Sequence, residues 1–154
     1  MTIEFKRLSE VNKSDIIELM NNHLVRRQMP LLTDHFDESA CDNFIAAKES
    51  LWIDHGYGPW AFVVDDQFAG WGGLQPENGE ADLALVLHPN YWGLGKVLYT
   101  KIIDKAFNEI GLNSITVLFP PSRTRIKGLL RLGFKEEGEL EVGNKRFNRF
   151  RIEN

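Results

Sequence analysis

The chain has 154 residues and a formal net charge of −4, a length that suits one domain with a substantial core. The acidic balance argues against a general binder of nucleic-acid phosphates. No apolar run reaches the roughly 18 residues of a membrane helix, and the N-terminus lacks the pattern of a signal peptide. Cys41 is the single cysteine, expected at the edge of the core rather than as a nucleophile. We therefore expect one cytoplasmic domain over residues 1–154, a monomer or homodimer, with no nucleic-acid or membrane partner.

The first part of the chain predicts one strand and two helices. Residues 3–8 alternate apolar and charged side chains, as a half-exposed strand does. Asn12 and Asp15 resemble a capping pair that opens a short first helix. A second helix is predicted from residue 37 to residue 54. Residues 23–36 between the two helices have no clear period.

The middle of the chain changes to a period of two. Residues 60–64 and 68–74 flank a short polar turn and predict a hairpin. Residues 76–79 supply a second turn before the apolar run 81–87. The three strands are expected to form an antiparallel meander. Because residues 83–87 are apolar on both faces, the third of these strands is expected to be central and covered on both sides.

The second half predicts an amphipathic helix from residue 94 to about residue 111, followed by a strand at 114–119. A short helix at 124–132 precedes two last strands at 134–142 and 145–152. A strand followed by a helix and another strand requires a crossover connection. The chain is therefore expected to be an α/β protein with a mixed sheet.

The sequence from His88 to Val97, His-Pro-Asn-Tyr-Trp-Gly-Leu-Gly-Lys-Val, carries the most informative motif. Gly93 and Gly95 stand between a strand-like run and a helix-like one, where side chains leave the backbone N–H groups unencumbered. These groups lie at the positive end of the helix dipole, which suits a pyrophosphate. A tight turn without a ligand is the alternative, because Gly-x-Gly alone is a weak signal.

Together with the order of elements and the ending Leu-Gly-Phe-Lys-Glu-Glu-Gly at residues 132–138, this loop resembles the GNAT superfamily of N-acetyltransferases. The two motifs are most similar to the branch that acetylates ribosomal-protein N-termini. The resemblance spans the chain and implies the GNAT fold, a central mixed sheet of about seven strands flanked by about four helices. It also implies acetyl transfer from acetyl-CoA to a primary amine, on a protein N-terminus or a small molecule. A non-catalytic acetyl-CoA-binding sensor or partner-docking module is the alternative.

The resemblance also implies where the co-substrate lies. The main chain at the end of the strand would pair with the pantetheine arm like an added strand, and an N–H group there would polarise the thioester carbonyl. The glycine loop would hold the pyrophosphate. Ser122 replaces a family asparagine that binds pantetheine, and Arg125 lies near the 3′-phosphate unless it belongs to a solvated basic face. The implied residues are Val86, Leu87, His88, Trp92, Gly93, Leu94, Gly95, Lys96, Val97, Ser122 and Arg125.

Direct attack by a neutral amine needs a proton acceptor. The family commonly has an acid on the strand before the loop, and Asp82 holds that position, although an idle acid at a strand end is the alternative. Glu77 and Glu80 are the other candidates. Leu129 stands where many members have a tyrosine that protonates the leaving thiolate. The thiolate, whose pKa is about 8.5, is therefore expected to leave without a proton from a phenol. Tyr91 is the hydroxyl most able to substitute, although packing against the helix start is its alternative role.

The amine is expected to meet the first helices and the meander. Aromatic side chains on strands are usually part of the core, so only one or two are expected to face it. The four histidines lack the spacing of metal ligands, and no metal site is expected. The candidates for contact with the amine are Arg26, Arg27, His35, Tyr57, Trp60, Trp71 and Gln75.

Overall fold

The computed structural model describes residues 1–29, 32 and 34–154. The strands are β1 (Ile3–Lys6), β2 (Pro59–Val64), β3 (Gln67–Glu77), β4 (Glu80–Leu87), β5 (Ser114–Phe119), β6 (Lys135–Val142) and β7 (Lys145–Glu153). The helices are α1 (Lys13–Asn21), α2 (His23–Arg26), α3 (Glu38–His55), α4 (Gly95–Asp104) and α5 (Lys127–Arg131). Short 3₁₀ turns cover Leu8–Glu10 and Pro89–Leu94, and a π-helical turn covers Lys105–Ile110.

Over the described residues, seven strands form one sheet in the order β1-β2-β3-β4-β5-β7-β6. β4 and β5 run parallel, whereas β5 and β7 pair antiparallel, which confirms the predicted mixed sheet. β4 is the fourth strand of seven, so its predicted central place is also confirmed. The register between β4 and β5 consists of two pairs, Asp82↔Thr116 and Leu83↔Val117. That ladder is short for strands of eight and six residues.

The chain divides into two compact units, the first of which comprises Met1–Gly73 and Leu85–Gly93. Its core joins the inner faces of α1 and α3 to side chains of the sheet, among them Trp71 and Val86. Cys41 lies inside this core with no exposed surface, deeper than the predicted core edge, and burial raises the pKa of its thiol. Complete burial of a Val, Leu, Ile, Phe or Met side chain in such a core contributes about 1.5–3 kcal/mol to folding.

The second unit comprises Leu74–Ala84 and Leu94–Asn154. One stripe of its first helix is fully buried at Leu98, Ile102 and Ala106, the four-residue spacing that the sequence predicts. The last turn of this helix has the wider π form instead of the α form. It ends at Gly111 in the left-handed conformation, where Gly111 N–H donates to the Ala106 carbonyl.

Three local predictions were wrong. α2 was missed because Asn22 closes α1 and also starts the next helix, where its side chain accepts from the N–H groups of Leu24 and Val25. Asn12 precedes α1, but its side chain makes no capping bond. The late helix starts at Lys127, three residues after the predicted start at residue 124, because β-branched Thr124 and Ile126 do not favour helix.

Gly70 lets β3 approach β4 unusually closely. A Cβ built on Gly70 would lie 2.2 Å from the carbonyl oxygen of Val86, and its φ of +152° is rarely adopted by other residues. Beside it, His88 N–H donates to the Ala69 carbonyl at 2.8 Å. Backbone atoms cannot move aside as a side chain can, so this glycine determines where the end of β4 lies.

Candidate active site

β4 is followed by a helical turn rather than by an open loop. Pro89–Leu94 forms a 3₁₀ turn, and α4 begins directly after it at Gly95. His88 anchors the start of the turn, since its carbonyl accepts from Tyr91 N–H and its ring Nδ1 accepts from Asn90 N–H. The indole of Trp92 donates to the Leu87 carbonyl at 2.8 Å while 42 % of the residue stays exposed. The segment is thus held by its own side chains.

Neither glycine of the motif is required by the fold. Gly93 and Gly95 do not have a positive φ, and a Cβ built on either has no neighbour within 4 Å. Lys96 and Val97 are exposed on the first turn of α4. A glycine in a helix costs about 0.5–1 kcal/mol relative to alanine. The bare backbone at the start of α4 is therefore a feature that packing within the chain does not explain.

The main chain at the end of β4 is less available than expected. The N–H and carbonyl groups of His88 both have partners within the chain, at Ala69 and Tyr91. The Leu87 carbonyl accepts from the Trp92 indole. An added strand at His88 would have to displace these bonds, because the close approach of β3 already uses its N–H. The pairing roles of Val86, Leu87 and His88 with the pantetheine arm stay predictions.

Ser122 does not start the late helix. It is an exposed residue in the turn after β5, well before α5 begins. Arg125 is exposed in the same segment, as the interpretation of a solvated basic face allows. Arg123 instead lies over the ring of Phe119, with 3.9 Å between its guanidinium carbon and the ring centroid. Leu129 is 6 % exposed on the inner side of α5, so no hydroxyl replaces the family tyrosine there.

Asp82 is a half-buried acid on β4. Its pKa is raised to about 7, chiefly by burial and also by nearby Glu77, although the hydrogen bond from Thr116 and the charge of Arg149 lower it. The Thr116 hydroxyl donates to Asp82 Oδ1 at 2.9 Å. A carboxyl group with a pKa close to neutrality can accept and release a proton at physiological pH. The pKa shift that a catalytic Asp82 requires is therefore present.

Glu80, two residues earlier on the same face of β4, has the opposite environment. Arg151 on β7 donates to both of its carboxylate oxygens, at 2.8 and 2.9 Å. The same guanidinium also binds Glu137 and donates to the Ser114 hydroxyl. The hydrogen bonds from Arg151 hold the pKa of Glu80 below its usual range. Glu80 is thus a structural partner of Arg151 and a poor proton acceptor.

The sequence analysis missed Tyr99 as a residue near the acid. Tyr99 is half-buried on α4, and burial raises the pKa of its phenol to about 12. Arg123 lowers that pKa and Asp82 raises it, so both charges act on the phenol. Tyr99 follows buried Leu98 on an amphipathic helix, and the pattern therefore indicated only packing. A polar hydroxyl on the flank of an apolar stripe is the signal that could have found it.

A cavity of about 240 Å³ opens in the first unit. None of the residues predicted to contact the amine lines it. Trp71 is 4 % exposed and donates from its indole to the sulfur of Met20, so it belongs to the core. Arg26 donates to the carbonyls of Met20 and Asp34, which supports the end of α1. The cavity is lined by Asp15, Glu18, Leu19, Gln67, Phe68, His88, Asn90 and Tyr91.

The described residues hold neither a metal-binding cluster nor a membrane-spanning helix. Within residues 1–29, 32 and 34–154, no cluster of three or more histidine, cysteine or acidic side chains could hold a metal ion. In the same part of the chain, no helix has the length and apolar character needed to cross a membrane.

Comparison with known proteins identifies the family. The family model described as "Acetyltransferase (GNAT) domain" matches residues 4–135. The chain belongs to the GNAT acetyltransferase family. An uncharacterized N-acetyltransferase, p20 of Bacillus licheniformis, is 36% identical over 119 residues, which cover 75% of this chain. The match spans 60% of the length of that relative.

Solved structures share the GNAT fold. A GNAT-family acetyltransferase from Bacillus anthracis superposes with a TM-score of 0.76 over 99% of this chain and 95% of its own, at 16% identity. A spermidine N-acetyltransferase from Vibrio cholerae, in complex with CoA and spermine, gives a TM-score of 0.74 over 98% and 95%, at 15% identity. Because the identities are so low, these matches concern the fold alone, and they confirm the predicted fold.

Proposed function

We propose that this GNAT chain is an acetyl-CoA-dependent N-acetyltransferase that acts on a primary amine. The observation that carries the proposal is Asp82, a half-buried carboxyl group whose pKa of about 7 suits a general base at neutral pH. Asp82 lies on the strand that precedes the glycine-bare start of α4. Membership of an acetyltransferase family favours this reading over a binding module without catalysis.

The proposed reaction removes two protons from the nitrogen and transfers one acetyl group to it. A proton passes from the substrate ammonium to the Asp82 carboxylate, and the neutral nitrogen then attacks the thioester carbonyl carbon. A C–N bond forms, the C–S bond breaks and the thiolate departs with its electron pair, while the nitrogen loses its second proton to water or to the departing thiolate. Water carries the proton between the amine and the carboxylate.

Acetyl-CoA is proposed to bind at the end of β4 and the start of α4. The N–H groups near Gly93 and Gly95 would hold the pyrophosphate, since no Cβ obstructs them. Val86 and Leu87 would receive the pantetheine arm. The family uses acyl-CoA, and a related fold has been solved with CoA bound. We propose that both compact units belong to one domain, because the family match covers residues of each unit.

Two classes of acceptor have support. The Tyr-Trp-Gly-x-Gly loop and the Gly-Phe-x-x-Glu-Gly ending favour a protein N-terminus, as in the ribosomal-protein branch. Asp15 and Glu18 in the cavity of the first unit favour a small cationic amine, because carboxylates attract ammonium groups. A panel of N-terminal peptides and polyamines, assayed for free coenzyme release, separates the two classes.

The co-substrate site is tested with Gly95→Val. We expect acetyl-CoA affinity to fall at least about tenfold, since the branched side chain covers the N–H groups. Titration calorimetry measures the affinity, and circular dichroism verifies the fold. Thr100→Val, which places the same side chain at an exposed position further along α4, is the matched control and should bind normally. Unchanged affinity in folded Gly95→Val would overturn the assignment.

A further inference from the structure

Thr116 is the one buried polar side chain among the residues that the structure describes. It is 1 % exposed on β5 and stands in register with Asp82 on the adjacent parallel strand. Residues paired in this way point to the same face of a sheet, and the Thr116 Oγ1 lies 2.9 Å from Asp82 Oδ1. The next pair, Leu83↔Val117, is the last of this ladder. The hydroxyl therefore meets the acid close to the end of the paired segment.

The direction of this hydrogen bond decides which form of the acid it favours. An ionised carboxylate only accepts hydrogen bonds, so the hydroxyl must donate to it. A donor that points at the carboxylate stabilises the charged form, in opposition to burial. A β-branched threonine on a strand also has a restricted χ1 angle. The hydroxyl is thus held at one place, and it holds one carboxylate oxygen in turn.

We infer that Thr116 is a positioning residue, which orients the Asp82 carboxylate and keeps it ionised at the pH of acetyl transfer. The inference rests on the proposed function, in which Asp82 accepts the proton. Thr116 itself need not touch the amine or the co-substrate. Its effect on the reaction passes through Asp82.

Other charged groups also act on this acid. Glu77 at the end of β3 raises its pKa, and Arg149 on β7 lowers it. Tyr99 on α4 senses the Asp82 charge and, in addition, the charge of Arg123. All of these groups are retained when only the hydroxyl at position 116 is removed. A change in the ionisation of Asp82 in such a variant therefore reports the hydroxyl.

The test is Thr116→Val, which exchanges the hydroxyl for a methyl group of similar size. Loss of the donor should raise the pKa of Asp82, so the acidic limb of the pH–rate profile should move up by about one pH unit. At pH 7 the rate should fall about fivefold and recover as the pH rises. Thr116→Ser keeps the donor and should restore the wild-type profile. Ser114→Ala removes a hydroxyl from the same strand as Thr116, one that accepts from Arg151 on β7. It should leave the acidic limb of the pH–rate profile in place.

A second measurement does not depend on turnover. Titration of the Asp82 carboxyl carbon by ¹³C NMR should give a higher pKa in Thr116→Val and a wild-type value in Thr116→Ser. An unchanged NMR titration would overturn the inference. So would an unmoved rate profile in an enzyme that Asp82→Asn inactivates. If Asp82→Asn keeps the wild-type rate, the base assignment of the proposed function fails instead, and the part of the inference that concerns catalysis fails with it.

Discussion

Two neighbouring regions of β4 handle a carboxylate in opposite ways. At Glu80, a guanidinium from β7 binds both oxygens, and the pKa falls below its usual range. At Asp82, burial raises the pKa to about 7, and the direct partner is a neutral hydroxyl. A charged partner fixes an acid in its ionised form, whereas burial beside a neutral donor leaves it able to exchange a proton. The comparison separates a structural acid from a candidate base two residues away.

The largest expected effect comes from removing each acid in turn. Asp82→Asn should lower the turnover rate about 100-fold or more, because a positioned general base typically contributes that much. Glu80→Gln is the matched control and should keep the rate within about threefold, since Arg151 retains Glu137 and Ser114. Steady-state rates with acetyl-CoA measure both variants. A loss of turnover in Glu80→Gln, with Asp82→Asn active, would reverse the two roles.

A second effect is expected on stability. Unfolded Asp82 ionises near its ordinary value of 3.8, whereas in the folded chain its pKa is about 7. Between these values the folded chain holds the extra proton. The free energy of unfolding should therefore fall as the pH rises from 4 to 7, by at most about 1.4 kcal/mol per pH unit from this group.

Glu80 should give the opposite slope at lower pH. Its lowered pKa contributes stability that is present above the unfolded value of about 4.5 and is lost as the pH falls through the folded value.

The contribution of Asp82 is measured by denaturant unfolding of the wild type and of Asp82→Asn between pH 5 and 7. Over that range the stability difference between the two should change in favour of Asp82→Asn as the pH rises. A constant difference would show that Asp82 is not titrating there.

The smallest effect is expected from Tyr91→Phe. Tyr91 lies in the 3₁₀ turn with its ring 6.4 Å from that of His88, between centroids. A thiolate with a pKa of about 8.5 can leave without a proton from a phenol, so the rate should change less than about twofold. Loss of turnover with unchanged acetyl-CoA affinity would show instead that Tyr91 is required. Leu129→Tyr would not be a simple test of a restored phenol, because Leu129 is buried.

The sequence predicts what depends on neighbouring residues. The apolar run of β4 and the four-residue spacing of α4 are local signals, and both elements were found. The surroundings of Asp82 depend on Thr116 and Arg149, which come from distant strands, so its raised pKa could be required but not foreseen. In the same way, the hydrogen bond from His88 N–H depends on the close approach of β3. The late start of α5 could have been predicted, because Thr124 and Ile126 are β-branched and do not favour helix.

Substitution of Gly70 and of the glycines near the start of α4 should have different consequences for the protein over evolution. At Gly70 an added Cβ would meet the Val86 carbonyl, so natural variation at this position is limited by whether the chain folds at all. At Gly93 and Gly95 the space is open, and drift to other residues would be silent for folding. Among descendants of this chain, the first glycine would persist even in copies that lose their activity. The other two would be the first to decay once no ligand depended on them.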